Sequence, residues 1–185
     1  MSLKHLLELA DVARASADQL DGDVARYVER VRSTIRGGGS IFFAGNGGSA
    51  AHAQHVATEY VVRYRRPSRR AAPALALTTD ASLLTAAGND LGFDEIFARQ
   101  VEARARRGDL LVLISTSGNS KNLLRAAEVA KARGVATVAL LAAGGGALAR
   151  QVDLAIVVPT TDTAHAQEIQ LALDHYVCSV IEGEL

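Results

Sequence analysis

Cysteine is nearly absent from this sequence, and aromatic residues and long apolar runs are scarce. A single cysteine, Cys178, excludes an intramolecular disulfide and a cysteine-rich zinc finger. Tryptophan is missing and aromatic residues make up 4% of the chain, too few for a base-stacking surface that binds nucleic acid. The longest apolar runs, such as residues 110–114 and 135–143, fall well short of the roughly 20 residues that cross a bilayer. We therefore expect no membrane span.

The sequence also lacks net charge, because 20 Lys and Arg residues balance 20 Asp and Glu residues. Such a chain has no long-range field that draws it to nucleic acid or to an anionic membrane, so we expect neither as a partner. The basic segment 63–70, which contains five arginines, is typical of an exposed, solvated connection. The first five residues show no secretory signal, which predicts a cytoplasmic location.

What the sequence does contain is the composition of one globular domain, with 185 residues of which 49% are hydrophobic and 22% charged. In residues 3–35 apolar side chains recur at helical spacing, which predicts one long helix or a helix pair. Three glycines at 37–39 end it. No linker, repeat or low-complexity tract divides the chain. We expect a single domain over 1–185, with an N-terminal helical oligomerisation segment (1–36) and an α/β core (37–185).

Beyond the glycines, short apolar runs alternate with helical patterns. The runs lack the regular apolar and polar alternation of a half-exposed strand, so both of their faces are expected to be covered. Repeated strand, helix and strand predict an α/β fold with a doubly wound, mainly parallel, five-stranded sheet. The predicted strands are residues 40–44, 74–77, 110–114, 136–141 and 154–158, and the predicted helices are residues 50–64, 80–87, 94–107, 122–133 and 164–182.

The loop after the first predicted strand is rich in glycine. Residues 45–49, here called the glycine loop, read Gly-Asn-Gly-Gly-Ser. Glycines let backbone N–H groups approach a ligand, Asn46 offers an amide, and Ser49 can cap the next helix. Neither a Walker loop nor a dinucleotide fingerprint matches this spacing. The pattern indicates either a cradle for an oxyanion or a sugar hydroxyl, or a tight strand-to-helix turn.

A second loop, after the third predicted strand, is rich in hydroxyl groups. Residues 115–120, here called the serine loop, read Ser-Thr-Ser-Gly-Asn-Ser. Hydroxyls and backbone N–H groups at the start of a helix suit a dianionic phosphate, and they need no lysine. An ordinary turn with one helix cap accounts for one of the four hydroxyls. The loop therefore predicts a phosphate site.

Two helices carry residue types that suit metal binding or proton transfer. His55 and Glu59 are four residues apart, which places them on one helix face. They can share a divalent ion or act as an acid and base pair. On the last helix Gln167 and His175 are eight residues apart, about 12 Å along the axis, so both reach one ion only if it lies between them. His52 is expected to point elsewhere.

Taken together, the two loops resemble those of the sugar isomerase (SIS) domain and, within it, of the bacterial phosphoheptose isomerases. The similarity extends from the N-terminal helical segment through residues 87–93, Ala-Gly-Asn-Asp-Leu-Gly-Phe, to residues 167–169, Gln-Glu-Ile. The resemblance implies a flavodoxin-like sheet and the interconversion of sedoheptulose 7-phosphate and D-glycero-D-manno-heptose 7-phosphate through an enediol or enediolate. It also implies a homotetramer in which the N-terminal helical segment packs against other subunits, unless that segment folds back on its own domain.

The resemblance further assigns roles to individual residues. Glu59 is the expected base and His175 the expected acid. One zinc ion per subunit is expected among His55, Glu59, Gln167 and His175. The expected substrate contacts are Asn46, Gly47, Gly48, Ser49, Glu59, Asn89, Asp90, Ser115, Thr116, Ser117, Ser120 and Gln167. Asn89 and Asp90 also suit a capping turn before Gly92. Cys178, one turn beyond His175, is expected to be a small buried residue rather than a ligand.

Three alternatives stay open at this level. Residues 164–166 read Ala-His-Ala where related isomerases often carry an acidic residue followed by a basic one, so another ketose phosphate, such as an octose phosphate, is a candidate substrate. A noncatalytic SIS protein that binds a replication initiator is the second alternative. Such proteins lack some of the residues that act as acid and base, whereas Glu59 and His175 are both present here. A sugar-phosphate sensor would normally carry a DNA-binding domain, for which there is no room before Ile41.

Overall fold

The fold is an α/β sandwich of three layers, seen in a computed structural model that describes residues 3–185. Residues 1 and 2, the start of the expected N-terminal helical segment, lie outside the described residues. The strands are β1 (Ile41–Gly45), β2 (Ala74–Ala76), β3 (Leu110–Ile114), β4 (Ala136–Leu141) and β5 (Leu154–Val157). The helices are α1 (Lys4–Arg36), α2 (Gly48–Val61), α3 (Ala81–Asp90), α4 (Ala98–Arg104), α5 (Lys121–Ala132) and α6 (Thr163–Glu182).

The five strands form one parallel sheet in the order β2-β1-β3-β4-β5. This order confirms the expected doubly wound, flavodoxin-like topology. Ile41 of β1 pairs with Ala74 on one side and with Leu110 on the other. From β1 and β3 the chain winds away in opposite directions, so a crevice opens between their carboxyl ends, where such sheets bind ligands. The glycine loop and the serine loop both begin at this crevice.

Alternate residues of the central strands face two separate cores. Phe43 and Val112 point into a core formed with α1, α2 and α6. Phe42 and Leu113 point into the other, formed with α3, α4 and α5. Both strand faces are buried, which explains why the strand sequences are continuously apolar. The sheet is thus a rigid base for the loops at its carboxyl edge.

The N-terminal helical segment is one helix, α1, and its second half folds back on its own domain. Between Leu20 and Ile35 it packs against α6 and β5. Its first turns differ, since Leu3 is 75% exposed, Leu6 53% and Leu7 65%. The expectation of an apolar face left uncovered by the sheet therefore applies only to the beginning of α1. None of the helices within residues 3–185 combines the length and the apolar character that a membrane span requires.

One predicted helix divides into two elements. Residues 94–107 were expected to be helical throughout, but a short 3₁₀ helix occupies Phe93–Glu95 and α4 follows at Ala98–Arg104. Gly92 before it has a positive φ of 97°, which favours glycine and turns the chain away from α3. The remaining predicted helices and strands lie within a few residues of their expected bounds, as is usual for element ends.

A buried polar group joins the three helices on one face of the sheet. Asp174 of α6 has no exposed surface, and its Oδ1 accepts a 2.8 Å hydrogen bond from the hydroxyl of Tyr27 on α1. Its Oδ2 lies 2.8 Å from Nε2 of His52 on α2, without the alignment of a hydrogen bond. A carboxylate without access to water is costly unless it is paired, so these contacts fix how α1, α2 and α6 meet.

Candidate active site

The glycine loop makes a tight turn from β1 into α2. A Cβ on Gly45 would lie 2.7 Å from Cβ of Ser49, so only glycine lets the helix start so close to the strand. Gly47 has a φ of 55°, which also favours glycine. The helix begins at Gly48, and no side chain caps it. The expectation that Ser49 caps the helix is therefore wrong, because Ser49 is already inside the first turn and is buried.

Asn46 connects the glycine loop to the helix that follows the serine loop. Its Nδ2 donates a 3.0 Å hydrogen bond to Oδ1 of Asn122, and Nδ2 of Asn122 donates a 2.8 Å hydrogen bond to Oδ1 of Asn46. Asn122, at the start of α5, is buried. Both ends of the Asn46 amide are thus engaged, so in this arrangement Asn46 holds the two loops together.

The serine loop surrounds the N-terminus of α5 with hydroxyl groups. Oγ of Ser115 accepts a 3.1 Å hydrogen bond from the N–H of Gly118, and Oγ of Ser117 accepts one of 3.3 Å from the N–H of Asn119. Ser120 occupies the N-cap position of α5, yet its side chain makes no capping hydrogen bond. The simple helix-cap explanation therefore fails for Ser120, whose hydroxyl is left available beside a helix end that favours anions.

A glycine-rich turn at residues 144–146 supports the serine loop from outside. A Cβ on Gly118 would lie 2.0 Å from the carbonyl oxygen of Gly145, so the two backbones are in direct contact. Oδ1 of Asn119 accepts a 3.0 Å hydrogen bond from the N–H of Ala147. Thr116 and Ser117 line a small cavity of about 80 Å³ next to the start of α6. The loop is therefore held in one shape by its neighbours, as a preorganised anion site requires.

The structure brings His55, Glu59 and His175 together where α2 packs against α6. Nε2 of His55 lies 2.9 Å from Nε2 of His175 and 3.4 Å from Oε1 of Glu59. One ligand atom from each residue falls within 4.8 Å of the others. The side chain of Glu59 is 16% exposed and that of His55 is 47% exposed. Two imidazoles and a carboxylate that converge at a solvent-accessible point can hold a divalent ion or transfer protons.

Tyr64, which sequence reasoning missed, stacks on His175. The ring centroids lie 5.3 Å apart at an interplanar angle of 25°. Partial burial of His175, together with the nearby imidazole of His55, lowers the pKa of His175 below the ordinary histidine value of 6.5. The ring is therefore neutral at physiological pH. No spacing pattern links Tyr64 to a residue more than a hundred positions away, so the sequence carries no signal for this contact.

Gln167 reaches the same region from the first turns of α6. Its side-chain amide lies against Gly48, where a Cβ would come within 2.9 Å of Nε2 of Gln167. Gln167 and Gly48 line a cavity of about 400 Å³, and His52 and His55 lie along the same cavity. Gln167 thus shares this cavity with His55 of the cluster, whereas Glu59 and His175 are not among its lining residues.

Gly48→Ala is expected to reduce activity without unfolding the protein. The new methyl group displaces the flexible end of Gln167, so stability stays within about 1 kcal/mol while misplacement of the amide lowers kcat/KM by about 10- to 100-fold. Urea denaturation and steady-state kinetics measure the two effects. Gly22→Ala in α1 is the matched control, because its Cβ meets no atom within 4 Å. Equal activity in both variants would remove Gln167 from the site.

Asn89 and Asp90 lie apart from this cluster within the chain. They form the last turn of α3, where Nδ2 of Asn89 donates a 2.7 Å hydrogen bond to Oδ1 of Asp90. The cavity beside the glycine loop is lined instead by nearby residues that include Gly88 and Phe93. Both side chains are exposed, and this hydrogen bond joins them to each other rather than to the backbone at the end of α3, so it is not a cap.

Two neighbouring residues behave as the sequence suggested. His52 is buried and turned toward Asp174 rather than into the cluster of His55, Glu59 and His175. Cys178 is buried one turn beyond His175, and burial raises the pKa of its thiol well above the ordinary range. A thiol that stays protonated is a poor metal ligand, which fits the role of a small core residue.

The basic segment 63–70 is anchored rather than wholly solvated. The side chain of Arg69 is only 3% exposed and lies 3.2 Å from the carboxylate of Glu182, at the end of α6. Arg69 also donates to the backbone carbonyl of Glu59. Glu182 accepts further hydrogen bonds from the backbone N–H groups of Tyr64 and Arg65. The expectation of an exposed connection is wrong for Arg69, because this buried ion pair ties the segment to the turn that carries Glu59.

Glu182→Gln is expected to destabilise the protein by about 3 kcal/mol at neutral pH, because it leaves Arg69 buried without its partner. Burial alone would raise the pKa of Glu182, but the hydrogen bonds it accepts lower that pKa overall. Its contribution to stability is therefore present above the ordinary carboxyl pKa of 4.5 and is lost as the pH falls through the lowered value.

Urea denaturation of wild type and variant from pH 7 down to pH 4 measures this effect. The difference between their free energies of unfolding should shrink at the acidic end. Glu128→Gln, which alters a carboxylate that is 55% exposed, serves as the control with little effect at any pH. A difference that stays constant with pH would contradict the role given to the Glu182 charge.

Comparison with protein families shows what this arrangement resembles. Residues 5–142 match the model of the SIS domain. The chain is 50% identical over 162 residues to the phosphoheptose isomerase of Rhodospirillum rubrum, an alignment that covers 88% of this chain and 86% of that protein.

Solved structures give the same result. A phosphoheptose isomerase from Neisseria gonorrhoeae superposes with a TM-score of 0.92 at 38% identity, covering 97% of this chain and 96% of that one. One from Francisella tularensis superposes with a TM-score of 0.94 at 32% identity, covering 97% and 95%. Fold and sequence similarity thus coincide over nearly the whole chain.

Proposed function

The chain belongs to the phosphoheptose isomerase family of SIS-domain proteins, and on that premise we propose that it interconverts sedoheptulose 7-phosphate and D-glycero-D-manno-heptose 7-phosphate. The observation that carries the proposal is the convergence of Glu59 and His175, from two different helices, next to the cavity that Gln167 and Gly48 line. A noncatalytic binding protein has no need of a carboxylate and an imidazole at one accessible point.

The reaction moves one proton between adjacent carbons and another between their oxygens. Glu59, a carboxylate that is 16% exposed, removes the C1 proton of the ketose and returns it to C2. His175 donates a proton to the C2 carbonyl oxygen and accepts the C1 hydroxyl proton. Because its lowered pKa keeps His175 neutral, one ring N–H gives this proton to the C2 oxygen, and the same nitrogen then takes the C1 hydroxyl proton. Bonds and charges balance through a cis-enediolate.

The same residues fit a zinc ion. Two imidazole nitrogens 2.9 Å apart and a nearby carboxylate match the donor types that zinc prefers, and the amide of Gln167 lines the adjoining cavity. We assign one zinc per subunit to His55, Glu59, Gln167 and His175, and Glu59 or His175 would release the ion when it transfers a proton. When bound, such an ion supplies positive charge that stabilises negative oxygen atoms on the substrate.

The serine loop is the proposed phosphate site. Ser115, Thr116, Ser117 and Ser120 gather at the N-terminus of α5, whose dipole favours a dianion. Because the loop is supported by the turn at residues 144–146, it holds the phosphate at a fixed place relative to β3. The distance from phosphate to reacting carbons then selects the length of the sugar.

We further propose that the protein is a cytoplasmic homotetramer. The first turns of α1 expose Leu3, Leu6 and Leu7, an apolar surface that a neighbouring subunit would cover. Asn89 and Asp90, which lie apart from the catalytic cluster of their own chain, are the residues we expect a neighbouring subunit's site to use.

A substrate panel tests the proposed activity. Purified protein is incubated with sedoheptulose 7-phosphate, with unphosphorylated sedoheptulose and with six- and eight-carbon ketose phosphates, and products are separated by mass spectrometry. We expect an aldoheptose phosphate from the first compound and at least about 100-fold lower kcat/KM for the sugar without phosphate. Preference for another chain length would change the substrate assignment, and inertness toward every ketose phosphate would favour a binding protein.

A further inference from the structure

A second cluster of two histidines and a glutamate lies where the first turns of α1 and α6 meet. Nε2 of His5 is 3.1 Å from Oε1 of Glu168, and Nδ1 of His5 is 3.1 Å from Nε2 of His165. One ligand atom from each residue lies within 4.8 Å of the others. Glu168 lines the same cavity as Gln167 and His55, whereas His5 and His165 are not among its lining residues, and the two clusters share no ligand residue.

The second cluster has the same residue types as the first. In each, two imidazole nitrogens approach within about 3 Å, at 2.9 Å in the first and 3.1 Å in the second. In the second, Nε2 of His5 contacts Glu168 and Nδ1 of His5 contacts His165, so His5 offers one of these two nitrogens to an ion. Ligand atoms around a tetrahedral zinc ion are about 3.3 Å apart. Two histidines with one glutamate are a known zinc ligand set that leaves one position open.

The surroundings of His165 favour a bound cation. Its ring is buried, which holds it in place beside His5. Oδ1 of Asp162 lies 3.7 Å from Nδ1 of His165, on the side of the ring away from His5. The same oxygen accepts a 2.9 Å hydrogen bond from the backbone N–H of His165, so Asp162 caps the start of α6 and fixes the position of His165.

We propose that His5, His165 and Glu168 form a second zinc site, separate from the catalytic one. Bound zinc joins the beginning of α1 to the beginning of α6. It thereby fixes the end of α1 that exposes Leu3, Leu6 and Leu7, the surface proposed above for subunit contacts.

Zinc binding to tag-free protein in a His55→Gln, Glu59→Gln background tests the proposal, because that background removes ligands of the catalytic site only. Equilibrium dialysis with elemental analysis is expected to give one zinc per chain. Adding His5→Gln, an exposed position that does not endanger folding, should weaken this binding at least about tenfold. Lys4→Gln, one residue away with its side chain 78% exposed, is the matched control and should retain the zinc.

Thermal denaturation gives a second readout. Zinc should raise the Tm of the background protein, as a ligand that binds only the folded state does, and this shift should disappear with His5→Gln. Absence of bound zinc in the background, or equal affinity with and without His5, would overturn the proposal. Neither outcome depends on isomerase activity, so failure of the second site and failure of the proposed function are distinguishable.

Discussion

Glu59→Gln is expected to fold and bind sugar phosphate while its turnover falls by about 10³- to 10⁴-fold, the loss that removal of a general base causes. Glutamine keeps the size of the side chain and one oxygen, but it cannot accept the carbon-bound proton. The residue sits at the end of α2 with its backbone carbonyl held by Arg69, so the substitution leaves the helix in place.

Stopped assays over long incubation measure kcat, and titration with a phosphate-bearing sugar measures binding. Glu102→Gln, which changes an exposed carboxylate on α4 paired with Arg99, is the control that should behave as wild type. Turnover within a few-fold of wild type in the Glu59 variant would show that another group moves the proton.

Removal of divalent metal is expected to suppress activity by at least about 100-fold, and zinc should restore it. Without a cation, the cluster holds only two imidazoles and the carboxylate of Glu59, so no metal charge stabilises negative charge on the substrate oxygens. Activity is followed during dialysis against a chelator and then during stepwise return of zinc. Because His5 does not line the cavity that Gln167 and His55 line, His5→Gln should recover to the same rate as wild type.

Elemental analysis must accompany this experiment, since activity has meaning only at a known metal content. A verified metal-free sample with full activity would contradict the zinc assignment at His55, Glu59, Gln167 and His175. The circular dichroism spectrum should change little on chelation, because the hydrophobic cores on both faces of the sheet do not involve these residues.

Much of the fold was predictable because the strands are buried on both faces. Runs such as Leu110–Ile114 are continuously apolar, and glycine or serine loops follow two of them, so both the sheet and its ligand-binding edge could be inferred. The predicted first residues of the helices were less accurate. The positive φ of Gly47 lets α2 begin before Ser49. This earlier start depends on the close packing of the helix against β1.

The cluster itself was partly predictable. The spacing of His55 and Glu59 places them on one helix face, but their meeting with His175 depends on how α2 packs against α6. The sequence does indicate that Asp174 makes a buried polar contact, because a charge among apolar residues of a helix needs a buried partner. The identity of that partner, Tyr27, is set by tertiary packing and could not be read from spacing.

The connection from Glu182 through Arg69 to Glu59 was not predictable either. Five arginines in a short segment suggest solvent exposure, and composition alone does not distinguish the buried Arg69 from the others. The contact between His5 and His165 was also not predictable, because it joins residues 160 positions apart. Long-range polar pairs follow from the packing of whole helices and leave no local pattern.

Isomerisation of sedoheptulose 7-phosphate in deuterated water tests the central claim most directly. If Glu59, which is partly exposed, carries the proton between C1 and C2, its proton exchanges with solvent and the aldoheptose 7-phosphate gains deuterium at C2. Mass and NMR spectra of the product reveal the label and its position. Product that stays free of deuterium at C2 after many reversible turnovers would indicate direct hydrogen transfer between the carbons and contradict the role of Glu59 as the base.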